Sequence, residues 1–140
     1  MNPKFFTVEE ADRLIGFFES VLERIKRNKQ VFLWLQEEIS ILTLIVECGS
    51  SKNNPDAQLL EEKKKKFDFL AEEIQKDITA ITDTGCVLRD VDRGLIDFYS
   101  IMDETVVFLC WQQGEDSVQY WHAIRDGFKG RQPLIRSSSQ

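Results

Sequence analysis

Cysteine, proline and histidine are all scarce in this chain. Its 140 residues include 3 Cys, 3 Pro and 1 His, with 7 Gly. Cys48, Cys86 and Cys110 are odd in number, widely spaced and free of any CxxC. That pattern excludes a disulfide framework and fits a reducing compartment. One histidine with scattered cysteines is poor material for a structural zinc site, which takes four Cys or His ligands at short spacing. Positive charge is also in deficit, with 18 Lys+Arg against 24 Asp+Glu and a net charge of -6. The basic field that nucleic-acid phosphates demand is missing. No apolar run approaches the length of a membrane span. Met1 to Thr7 lacks the basic start and apolar core of a signal peptide. Phosphate loops are absent too, because Gly127-Phe128-Lys129-Gly130 is neither a Walker nor a dinucleotide pattern. The expectation is a soluble cytoplasmic protein with no nucleic-acid or membrane partner, no metal and no cofactor.

What is present is a globular composition, 42% hydrophobic and 30% charged. At this length a single domain over 1–140 is expected. Thr7-Val8-Glu9-Glu10 has the form of a capping box, with Phe6 placed to staple onto Ala11. A heptad follows: Leu14, Phe18, Val21, Ile25, Asn28, Phe32, Leu35, Ile39, Leu42 and Val46. Spacings alternating between four and three make the seam of helices packed along their length. Asn28 interrupts it, either fixing register or marking a kink. Unbroken, the helix runs about forty residues, roughly 60 Å. Gly49 to Asn54 is a turn-rich connector, and Asn54-Pro55-Asp56 restarts a helix. The second seam reads Leu60, Lys64, Phe67, Ala71, Ile74, Ile78, Ile81, and Gly85 stands where a left-handed cap ends it. Lys63 to Lys66 after Glu61-Glu62 reads as a solvated face with acid-base pairs one turn apart.

Beyond Gly85 the period changes to strand-like. Cys86 to Asp90, Gly94 to Tyr99 and Val106 to Trp111 are short apolar runs, with Asp92-Arg93-Gly94 as a turn. They predict an antiparallel meander. Ser117 is then placed to cap a short helix carrying Tyr120, Trp121, His122, Ile124 and Phe128. The predicted fold is α+β. A long antiparallel helical hairpin (7–84) precedes a small three-stranded antiparallel sheet and a C-terminal helix (85–131), with a flexible tail (132–140).

The chemistry concentrates late. Leu109-Cys110-Trp111, Glu115, Tyr120-Trp121-His122 and Gly127-Phe128-x-Gly130-Arg131-x-Pro133-Leu134 hold two of the three Trp and the only His. With Gly94-Leu95-Ile96-Asp97-Phe98 and the opening Phe6-Thr7-Val8-Glu9-Glu10-Ala11, these motifs resemble the short bacterial proteins of domain of unknown function 2203. The resemblance covers nearly the whole chain. The departures from it fall at Ser100-Ile101-Met102 and in the helix connector. It implies a family, and no activity or catalytic residue comes with it.

Binding candidates are Arg93, Asp97, Cys110, Trp111, Glu115, Trp121, His122 and Arg131, which combine flat apolar faces with charged forks. A Cys110–His122 pair oriented by Glu115 or Asp97 has the makings of a nucleophile. Alternation, however, puts Cys110 with Val106 and Phe108 on an apolar face, the setting of an inert thiol. The adjacent acids Glu37-Glu38, Glu61-Glu62 and Glu72-Glu73 diverge around a helix and form no catalytic pair. No catalytic set emerges, so a non-catalytic interaction or adaptor module is the first functional reading. The alternative is a small-molecule or metal site near Cys110, Glu115 and His122, with enzymatic chemistry open. Phe17, Leu22, Leu33, Trp34, Ile41, Leu44 and Ile45 lie off the first seam and predict self-association, most simply a homodimer. Trp121 is expected in the core and His122 on the open side.

Overall fold

The computed structural model describes residues 4–49 and 55–135. Its elements are α1 (Val8–Asp12), α2 (Ile15–Cys48), α3 (Pro55–Thr82), β1 (Val87–Asp90), β2 (Leu95–Met102), β3 (Thr105–Gln112), β4 (Tyr120–Ala123) and β5 (Gln132–Pro133). The connector residues Ser50 to Asn54, with the Asn54 cap, and the tail from Arg136 lie outside the described residues. The chain divides into two compact units, 1–23 with 79–140, and 24–78.

The capping box forms as its residues dictate. The Glu10 amide donates to Thr7 Oγ1 at 3.1 Å, and the Thr7 amide donates to Glu10 Oε1 at 2.8 Å. The helix it opens is short, because α1 ends at Asp12 and α2 starts afresh at Ile15. No break occurs at Asn28, which lies within one continuous α2. Phe6 meets the sheet, edge-on to Phe98 at 5.1 Å.

In the second unit the helical stretches run antiparallel. Arg24 forks onto Asp77 with bonds of 2.8 and 2.7 Å, Phe32 stacks on Phe67 at 4.2 Å, and Lys63 approaches Glu38. Leu35, Leu42, Leu60 and Leu70 fill the seam between them. Gly85 takes the left-handed conformation, φ 101°, after the end of α3.

The first unit holds an antiparallel sheet with five strands in the order β1-β2-β3-β4-β5. This corrects the expected three-stranded meander and C-terminal helix. Tyr120 to Ala123 forms β4, paired with β3, and among the described residues that follow only a 3-10 turn at Phe128–Gly130 is helical. Gln132–Pro133 is edge strand β5, not part of a loose tail. Hydrophobic spacing at 120, 121, 124 and 128 imitates a helix turn, but the aromatic pair fits a pleated surface better. Ser117 caps nothing, and the next amide, Val118, donates to Asp12 Oδ1 at 2.7 Å.

Asp103 and Glu104 join β2 to β3 with positive φ of 50° and 65°. That is the geometry of a two-residue primed turn, whose twist matches the strands. It centres the hairpin and fixes its register, pairing Asp97 with Cys110 and Ile96 with Trp111. One sheet face then carries Ile96, Phe98, Leu109 and Trp111, all buried. Phe18 of α2 packs on that face, 5.8 Å from Phe98 and 6.1 Å from Trp111. The opposite face carries Asp97 and Cys110 beside Leu95, Tyr99 and Phe108.

Candidate functional site

Because side chains alternate along a strand, Asp97 and Cys110 sit directly opposite on the second face. His122 joins them, since it pairs with Phe108, two residues from Cys110. The three side chains offer ligand atoms within 4.8 Å of one another. All three are buried: Cys110 is 0%, His122 2% and Asp97 3% exposed. Arg89 enters from β1, where the register shifts between Leu88 and Asp90. Its Nε donates to Asp97 Oδ2 at 2.9 Å, and its guanidinium lies 4.9 Å from the Phe108 ring centre.

His122 is held by both ring nitrogens. Nδ1 lies 2.9 Å from the Ala123 carbonyl oxygen, and Nε2 lies 3.1 Å from Asp97 Oδ2. A carbonyl only accepts, so Nδ1 carries a hydrogen. The Nε2–Oδ2 contact then requires one more hydrogen, held between imidazole and carboxyl. Asp97 Oδ1 is buried without a hydrogen-bond partner. Burial first, and then the Asp97 charge, push the Cys110 thiol up to about 12, with Arg131 pulling the other way. A thiol so held is no thiolate at neutral pH, and both nitrogens of His122 already have oxygen partners. The arrangement is not a Cys-His nucleophile.

A second cluster borders the first. Arg131 Nη2 donates to both Glu115 oxygens, at 2.8 and 2.6 Å, while the Gln112 amide donates to Glu115 Oε1. The Arg131 guanidinium stacks 3.9 Å from the Tyr120 ring centre and 4.6 Å from that of Phe128. Arg93 covers Phe128 as well, at 4.4 Å. Between this roof and the sheet opens a cleft of about 350 Å³, lined by Arg89, Leu95, Asp97, Ile124, Arg125, Asp126, Gly127 and Phe128.

Asp97, Cys110 and His122 therefore converge, and Glu115 with Arg131 forms an adjoining pair. Trp111 stands apart on the helix-covered face, its indole N–H donating to the Glu115 carbonyl. Trp121, half-buried, points to that face too. Trp121 thus faces the helix-covered side as expected but is only half-buried, whereas His122, on the cleft side, is 2% exposed and packed rather than open. Arg89, Tyr120 and Phe128 are not among the binding candidates of the sequence reading, although Tyr120 and Phe128 lie in its C-terminal motifs. Only the cross-strand register brings them to Asp97 and Arg131, and nothing local signals it.

A family model described as an uncharacterized conserved protein, DUF2203, matches residues 4–134. No curated protein and no solved structure matches the chain. No helix among the described residues is long and apolar enough to cross a membrane.

Proposed function

The chain belongs to the DUF2203 family, and from that premise we propose that it is a small-molecule-binding protein whose site is the cleft over Asp97. The family description carries no activity, so the reading rests on the site itself. One observation carries it: a buried carboxylate at the cleft wall has an oxygen, Oδ1, with no N–H or O–H partner, the Cys110 thiol being the one further group that interacts with the carboxylate. An unsatisfied buried acceptor costs a fold about 1–3 kcal/mol, a loss that a bound donor relieves. Arg89, with 44% of its side chain exposed, supplies the complementary cation, and Phe128 an apolar wall. A compact ligand with a donor for Asp97 and an acidic group for Arg89 fits this set. A thermal-shift screen of amino acids, organic acids and nucleotides tests it. A ligand at about 100 times its Kd stabilises by about 2.7 kcal/mol, a shift of several degrees. Arg89→Ala should remove that shift. Silence from every class would defeat the reading.

The helical unit supports a second role as an interaction module, with a second copy of the chain as partner. Leu33, Trp34, Ile41, Leu44 and Ile45 are all exposed, Leu44 at 64%. At 100° per residue they fall within one arc of about 120° on α2. This arc is apolar apart from exposed Glu37, and an apolar stripe at near-heptad spacing is the usual seam of a two-fold helical dimer. The free thiols of Cys48, Cys86 and Cys110 suit a cytoplasmic setting for such a dimer. Sedimentation equilibrium decides it, and a 16.3 kDa species at tens of micromolar would end the idea.

A further inference from the structure

We propose that Asp97, Cys110 and His122 hold a transition-metal ion of the zinc class, with an open coordination position facing the cleft. The inference rests on the cleft reading and adds what the cluster behind its Asp97 wall binds. The ligand atoms already lie within 4.8 Å of one another on three adjacent strands. Tetrahedral coordination at about 2.0–2.3 Å brings such atoms to roughly 3.3–3.7 Å apart. The His122 Nε2–Asp97 contact, at 3.1 Å, is close to that separation, and only a modest approach of the Cys110 thiol is needed.

Two further features point the same way. Metal-ligating histidines give their second ring N–H to a carbonyl or carboxylate, which fixes the tautomer and aims the other nitrogen. His122 does this through Nδ1 and the Ala123 carbonyl, leaving Nε2 toward the cluster. Asp97 divides its oxygens: Oδ2 is shared by Arg89 and His122 Nε2, and buried Oδ1 has no N–H or O–H partner. A cation is the natural partner for an acceptor in that position. It takes the place of the hydrogen held between His122 and Asp97, and coordination displaces the thiol proton of Cys110. One soft sulfur, one imidazole and one carboxylate suit zinc or cobalt rather than calcium or magnesium. Three protein ligands with the fourth position open is the pattern of a reactive zinc site, where a structural site closes all four. The positive charge of Arg89 beside Asp97 opposes a cation, so the test must separate a metal site from a salt-bridged polar cluster.

The full chain, stripped with chelator and carrying Cys48→Ser and Cys86→Ser, is titrated with Co²⁺ and separately with Zn²⁺. Cys110 is then the only thiol. One cobalt per chain, with a thiolate-to-cobalt charge-transfer band that zinc abolishes, is the expected result. Asp97→Asn should weaken binding about tenfold or more. Cys110→Ser should lose the band, and if that variant fails to fold, Asp97→Asn still decides. Absence of the band in the single-thiol chain overturns the assignment, as does a band indifferent to Asp97→Asn. A chain that takes no metal yet binds a small molecule through Arg89 overturns the metal assignment and leaves the cleft reading standing.

Discussion

Truncating His122 should damage the fold more than truncating its larger neighbour Trp121. His122 is 2% exposed, packs 5.4 Å from the Phe108 ring and makes two polar contacts. His122→Ala opens a cavity in the second sheet face and leaves Asp97 with Arg89 as its remaining partner. Removing a buried ring with its hydrogen bonds costs about 3–5 kcal/mol. Trp121 is half-buried, so about half the usual aromatic loss applies, near 2 kcal/mol. With a urea slope of about 2 kcal/mol per molar, the two midpoints should differ by about 1 M. Urea unfolding followed by the fluorescence of Trp111, which both variants retain, reads this directly. Equal midpoints, or a lower one for Trp121→Ala, would refute the strand geometry on which the site is built.

The Glu115–Arg131 pair, with side chains 22% and 10% exposed, should show coupling of about 1.5–3 kcal/mol in a double-mutant cycle of Glu115→Gln and Arg131→Met by thermal unfolding. Additive losses would show the pair to be incidental. Asp103→Asn with Glu104→Gly supplies the residues a primed turn prefers, and should raise the urea stability by about 0.5–1 kcal/mol. A disulfide reagent should label exposed Cys48 quickly and buried Cys86 and Cys110 only on unfolding, as mass spectrometry with time would show. Burial holds the Cys86 thiol above its ordinary value of 9.0 in the folded chain. The unfolded chain releases that proton first, so stability should fall as pH rises past about 9, a slope that Cys86→Ala should reduce.

Much of this architecture was legible in local signals. The capping box at Thr7, the left-handed Gly85 and the apolar runs of β1 to β3 each depend on neighbouring residues only. The failures are tertiary. Tyr120 to Ala123 is too short for alternation to show, and it becomes a strand because β3 offers an open edge. The break between α1 and α2 likewise has no proline to announce it. Asp97, Cys110 and His122 stood out as reactive types, yet their convergence follows from a register set at Asp103–Glu104, a turn without glycine. Arg89 shares the Asp97 face because Val87 pairs with Asp97 across β1 and β2, a register that pattern alone does not reveal.

The central claim is that the face bearing Asp97, Cys110 and His122 is a binding site. Its most direct test is an amide correlation spectrum of the labelled chain, recorded with and without Zn²⁺ and the hits of the thermal-shift screen. The account predicts that the largest changes fall on β2, β3 and β4 at Asp97, Cys110 and His122, with Arg89 and Phe128 following. Changes confined to the acidic surfaces of α2 and α3, or none at saturating ligand, would contradict it.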